Sequence, residues 1–203
     1  MKQQVRNIRV GIVGEHPNND ALALSHLLKS VAHENVDFIV LQKNNRGSHL
    51  DSMKFFRTLR AEFRSENPHF IILVRDLDGL TSSLDKITER DSWFVKANKE
   101  INNCDIFFLV IYEMEALILA DIDNFNKYYK LKVKPIGNPT SLEKPKEYLQ
   151  KLTEKTQKGK YEENDAPKII QSLNFKTIYS THNGERSFQH FADELIKKNL
   201  IKL

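Results

Sequence analysis

Apolar and polar positions alternate between two kinds of run along this chain. Short continuous apolar, β-branched runs fall at 8–14 (IRVGIVG), 36–41 (VDFIVL), 69–75 (HFIILVR) and 105–112 (DIFFLVIY), and each reads as a buried strand. Between them the apolar spacing lengthens. Leu24, Leu27, Leu28 and Val31 stand at helical intervals, as do Phe55, Phe56, Leu59 and Phe63 within a helical stretch at 48–66. A further helix is expected within 81–102, and a short one in EMEALILAD, residues 113–121. Beyond this point the pattern changes. Residues 123–140 carry Pro135, Gly137 and Pro139 and read as irregular. A helix is expected around 142–156 with Pro145 in its first turn, a last strand at 175–180 (FKTIYS), and a closing amphipathic helix at 187–200.

Strands alternating with helices imply an α/β fold, a mostly parallel sheet flanked by helices, with a mainly helical C-terminal elaboration. The expected organisation is one domain over 1–203, with a core of about 6–122 and the elaboration over about 123–203. Right-handed crossovers would make the four strands run the same way, and ligands in such sheets bind beyond the carboxyl ends of the strands.

Composition narrows the chemistry. A single cysteine, Cys104, leaves no disulfide framework and no cysteine zinc site. No apolar run reaches the roughly 18 residues a membrane span requires. MKQQVRNIRV leads directly into a strand without a signal-peptide pattern, so a soluble cytoplasmic protein, not membrane-bound, is expected. The formal net charge of +4 is uninformative, but its distribution is not: residues 76–123 carry a net −7 and residues 127–160 a net +7. Carboxylates that gather metal ions beside lysines that meet a polyanion would produce this asymmetry, although a lysine run is also an ordinary solvated face. Glycine-rich phosphate loops, G-x-S-x-G and H-E-x-x-H are all missing from the sequence. His182, in THNGER beside Arg186, could touch a phosphate but reads more readily as a turn residue.

The acids fall in a telling order. Glu15 follows the first strand, Asp76 and Asp78 follow the third, and Glu113 and Glu115 follow the fourth. In a parallel sheet all five carboxylates would share one rim, where they repel one another unless a cation lies between them. Mg²⁺ or Mn²⁺ suits oxygen ligands, and two such ions about 4 Å apart could activate a water and stabilise a leaving oxygen. Each acid also has a plainer reading: Asp-Gly is turn chemistry, and acids are favoured in the first turn of a helix. Helical spacing would turn Glu113 and Glu115 away from each other, leaving one of them as a ligand.

Glutamate after the first strand, D-x-D after a later one and an acid-led helix (MEALILAD, Met114 to Asp121) resemble the Toprim domain of topoisomerases, bacterial primases and overcoming-lysogenization-defect nucleases. The chain is most similar to small standalone prokaryotic Toprim-like proteins, often linked to defence against phage. Tyr161 to Ile170, with Ala166-Pro167, and the helix from Phe188 to Leu195 add to the likeness. The resemblance implies an Mg²⁺-dependent (or Mn²⁺-dependent) nuclease, a phosphodiester hydrolase. Glu15, Asp76, Asp78 and Glu115 would be its catalytic metal ligands, with Asp121 in support. Two departures stand out: His16 replaces the usual glycine after the first glutamate, and Leu117 the tryptophan of the helix motif. Nucleic acid is the expected partner, met by Lys155, Lys158 and Lys160. With aromatic residues at 9% and mostly placed as core, no base-stacking platform is evident.

Two other readings stay open. RDLDGLT resembles the D-x-D-G-T of haloacid-dehalogenase-type phosphatases, where the first aspartate is a nucleophile. That signature normally opens its domain, whereas here two strands precede it and Leu80 follows Gly79. The other is a non-catalytic Toprim-shaped interaction module working with a partner ATPase.

Overall fold

The computed structural model describes residues 7–44 and 49–203. The expected limits at Arg6 and Ser48 lie outside those residues. Four strands, β1 (Ile8–Val13), β2 (Val36–Val40), β3 (Phe70–Asp76) and β4 (Asp105–Val110), form one parallel sheet in the order β2-β1-β3-β4. Ile12 pairs with Val40 on one side and Ile72 on the other, and Asp76 pairs with Val110. Both faces of the sheet are covered, which is why the strands read as continuous apolar runs.

On one face, Val10, Ile12, Ile72, Val74, Ile106 and Phe108 pack against α1 (Leu22–Lys29) and the C-terminal helices. On the other, Val13, Ile71, Leu73 and Leu109 pack against α2 (Met53–Glu66) and α3 (Leu84–Glu100) through Phe55, Phe56, Leu59, Trp93 and Phe94. Ser52 opens α2 by accepting the Phe55 N–H, and Asn67 closes it in the left-handed region at φ 47°.

The C-terminal region is mainly helical: α4 (Glu115–Ala120), α5 (Ile122–Tyr129), α6 (Pro145–Thr153), α7 (Ala166–Ile170), α8 (Phe175–Thr181) and α9 (Phe188–Lys197). Two expectations change here. The irregular stretch begins with a helix, α5, which buries Ile122, Phe125 and Tyr129. The segment 175–180 is helix, not strand: Asn174 caps it by accepting the Thr177 N–H, and Phe175 and Ile178 turn one face to the core. Among the described residues no helix is long and apolar enough to cross a membrane.

The chain leaves β1 for β2 on one side, then returns to β3 on the other side of β1. The carboxyl ends of β1 and β3 therefore flank a topological switch point, where crevices open in sheets of this kind.

Candidate metal centre

At that switch point lies a cavity of about 160 Å³. Glu15 reaches it from the end of β1, Asp76 and Asp78 from β3, and Glu113 and Glu115 from the segment after β4. Backbone bonds align these loops: the Asp78 N–H donates to the Tyr112 carbonyl at 3.0 Å, and the Tyr112 N–H to the Gly79 carbonyl at 3.0 Å. Asp78 sits at φ 54°, a left-handed conformation that aspartate tolerates better than most residues. Glu113 and Glu115 both line the cavity, because α4 begins only at Glu115 and the helical spacing does not extend back to Glu113.

Two further carboxylates line the same cavity, Asp20 and Glu163. Asp20 arrives on a π-helical turn, Pro17–Ala21, a rare conformation that is frequent at functional sites. The turn lies so close to the end of β1 that a Cβ on Gly14 would come within 3.0 Å of Asp20 Cβ. Gly14 was the one sequence signal for that approach. Glu163 had none, since its position depends on how the segment before α7 folds back over the rim.

The acids are unevenly neutralised. Arg75, itself buried, donates from Nε to Glu15 at 3.3 Å and grips Asp51 with both terminal nitrogens at 2.8 and 3.0 Å. Arg90 donates to Asp78 at 3.0 Å. Lys146 lies 2.9 Å from Glu163 and 3.8 Å from Glu113, and its own backbone N–H donates to Glu113 at 3.3 Å. The Tyr161 hydroxyl donates to Glu115 at 2.9 Å, and the His16 N–H to Asp20 at 2.8 Å. Among the described residues nothing donates a hydrogen bond to the Asp76 carboxylate.

The proton affinities follow this pattern. Burial, reinforced by Asp20, Glu15, Glu115 and Asp78, holds the Asp76 carboxyl well above its usual range. Burial raises Asp20 to about 7, against the His16 N–H bond, and Glu15 adds to the rise. Burial likewise lifts Glu115 to about 7, partly offset by the Tyr161 hydroxyl. Glu113 is raised too, mainly by burial.

A divalent cation fits this donor set in kind, because every candidate ligand is a hard carboxylate oxygen and the buried ones lack sufficient positive charge. The arrangement is not a closed ligand shell. Among the described residues no three such side chains already stand where they would hold an ion, since Glu15, Asp78 and Glu113 are drawn towards cationic side chains.

The remaining sequence candidates lie elsewhere. Asp121 is buried but does not line the cavity; its carboxylate accepts the Asn174 N–H at 2.7 Å and the Asn124 side-chain amide, joining α4 to α8. Lys155, Lys158 and Lys160 are exposed, and Lys158 lies 3.4 Å from the centre of the Tyr128 ring. None of the three lines the cavity, although their segment runs directly into Tyr161. Among the described residues the lysine that lines the cavity is Lys146. His182 stands in the bend that ends α8, as a turn residue would, and does not line the cavity where a phosphate would be met. It is fully buried, accepts the Phe188 N–H on Nδ1 at 3.0 Å, and burial lowers its pKa to about 4. Arg186 instead grips Asp91 at 2.8 and 2.9 Å. A larger hollow of about 540 Å³, lined by Gln42, His49, Lys54 and Glu62, gathers no comparable cluster of acids among the described residues.

Neither the curated proteins nor the solved structures contain a match to this chain. A family model does match, over residues 19–196, which take in six of the seven cavity carboxylates and leave Glu15 just outside. The chain belongs to that family, the Domain of unknown function (DUF4276).

Proposed function

We propose that this domain is an Mg²⁺-dependent nuclease of Toprim-like design, with the rim cavity as its metal centre. The observation that carries this reading is Asp76, crowded by Glu15, Asp20, Asp78 and Glu115, with no donor to its carboxylate among the described residues. Like charges kept together at a ligand crevice create a demand for positive charge that the surrounding protein does not meet.

Glu15, Asp76, Asp78 and Glu115 would hold the ion. Bound there, a divalent cation would acidify a water and neutralise charge on a phosphodiester. Arg75 and Arg90 fix the directions from which Glu15 and Asp78 approach. Lys155, Lys158 and Lys160, on the segment leading to Tyr161, would meet the nucleic-acid backbone. Contacts of that kind weaken steeply with salt.

Incubating the protein with DNA and with RNA, in Mg²⁺ or Mn²⁺ and in chelator, tests the reading. Cleavage is expected only with metal. Glu15→Ala should reduce it by more than the roughly 10–100-fold that losing an outer-shell partner costs. Release of phosphate from small esters, lost in Asp76→Asn without any nucleic-acid cleavage, would identify a phosphatase and overturn the proposal.

A further inference from the structure

We infer that Lys146 is the cavity's internal counter-ion and that a divalent cation displaces it on binding. This rests on reading the cavity as a divalent-cation site.

Among the described residues three cationic side chains pair with the rim carboxylates, and of these Lys146 alone lines the cavity itself. Arg75 and Arg90 approach from outside and are anchored elsewhere, Arg75 by its fork on Asp51 and Arg90 by the Asp76 carbonyl at 2.9 Å. Lys146 stands among the carboxylates and joins Glu113, which follows β4, to Glu163, which precedes α7. It is also the second residue of α6, and its N–H is bound to Glu113. Side chain and backbone thus tie the first turn of α6 to the acids.

Lysine suits a replaceable counter-ion. Its ammonium is a compact charge on a flexible four-carbon stem, whereas an arginine fork is committed to its partners' geometry. The Lys146 side chain is 30% exposed, so it lies at the mouth and can leave without opening the core. A divalent ion and the ammonium would repel one another at close range. Even at the dielectric constant of water, a separation of about 5 Å costs about tenfold in a binding constant. Entry of the metal and departure of Lys146 are therefore coupled. The displaced ammonium stands at the cavity mouth, where it meets the phosphate that a bound metal attracts.

The test is calorimetric titration of Mn²⁺ into the whole chain, comparing wild type, Lys146→Met, Lys146→Gln and Lys146→Arg, each shown to be folded by its thermal transition. Removing the charge should tighten Mn²⁺ binding by about tenfold. Lys146→Gln repeats the test should the methionine variant fail to fold, and Lys146→Arg, which keeps the charge in a fork that is harder to displace, should bind Mn²⁺ no more tightly than wild type. Asp76→Asn should weaken binding in every background, which assigns the ion to this cavity. If wild type binds Mn²⁺ and the charge-removing variants bind equally or more weakly, the inference falls while the metal centre stands. If neither wild type nor those variants bind Mn²⁺ at millimolar concentration, the metal centre itself falls, and the inference with it.

Discussion

Arg75 and Asp76 are neighbours on β3 that point to opposite faces of the sheet, and their surroundings are opposites too. Arg75 is buried with its needs met: two bonds to Asp51, one to Glu15, and the Trp93 ring beneath it at 4.8 Å. Asp76 faces four other acids and receives no donor among the described residues. The exposed-side pairing of Arg186 with Asp91 repeats the first pattern. A charge buried for architecture comes with a partner of matching geometry, because an unpaired one is costly. Like charges left crowded at a crevice lower stability, and proteins keep such frustration where a ligand relieves it.

The C-terminal helices supply a third case, and the largest expected effect. His182 is buried as the neutral base, with Nε2 unpartnered among the described residues. Its folded pKa of about 4 lies below the ordinary 6.5, so the unfolded chain takes up the proton first as pH falls. Its contribution is fully present above about 6.5 and is lost between there and about 4, on the order of 3 kcal/mol in all. Denaturant titrations at pH 7 and pH 4.5 should show a smaller acid loss in His182→Asn, whose amide oxygen can still accept the Phe188 N–H. An equal loss in both proteins would contradict this assignment.

Next come the two neighbours on β3, where the comparison itself is at stake. Arg75→Met strands Glu15 and Asp51 and removes the contact with Trp93. Because Asp51 is largely exposed, the expected cost is about 2 kcal/mol rather than that of a fully buried pair. Asp76→Asn relieves repulsion and should stabilise the metal-free protein by about 1 kcal/mol at pH 8, while abolishing the proposed cleavage. Denaturation in chelator measures both. Should Asp76→Asn destabilise, the rim would be ordinary architecture.

Much of this was legible in the chain. The four strands fall within two residues of where the apolar runs put them, because burial on both faces leaves an uninterrupted signal. Their parallel order brings Glu15, Asp76, Asp78, Glu113 and Glu115 to one cavity, as strand-end placement implied. Local preference misled at 175–180, where β-branched residues suggested strand but the Asn174 cap and the burial of Phe175 and Ile178 made helix. The counter-ions were illegible. Nothing about Arg75, Arg90 or Lys146 in sequence says which acid each will meet, since those pairings span 60, 12 and up to 33 residues of chain. Asp20 and Glu163 were hidden for the same reason: long-range packing, not local pattern, carries them to the rim.

A crystal soaked in millimolar Mn²⁺ tests the central claim most directly. The account predicts an anomalous peak inside the rim cavity, within coordination distance of Asp76 and Glu115, with the Lys146 ammonium moved off Glu113 and Glu163. A cavity without an anomalous peak, with Lys146 still seated on both glutamates, would contradict it.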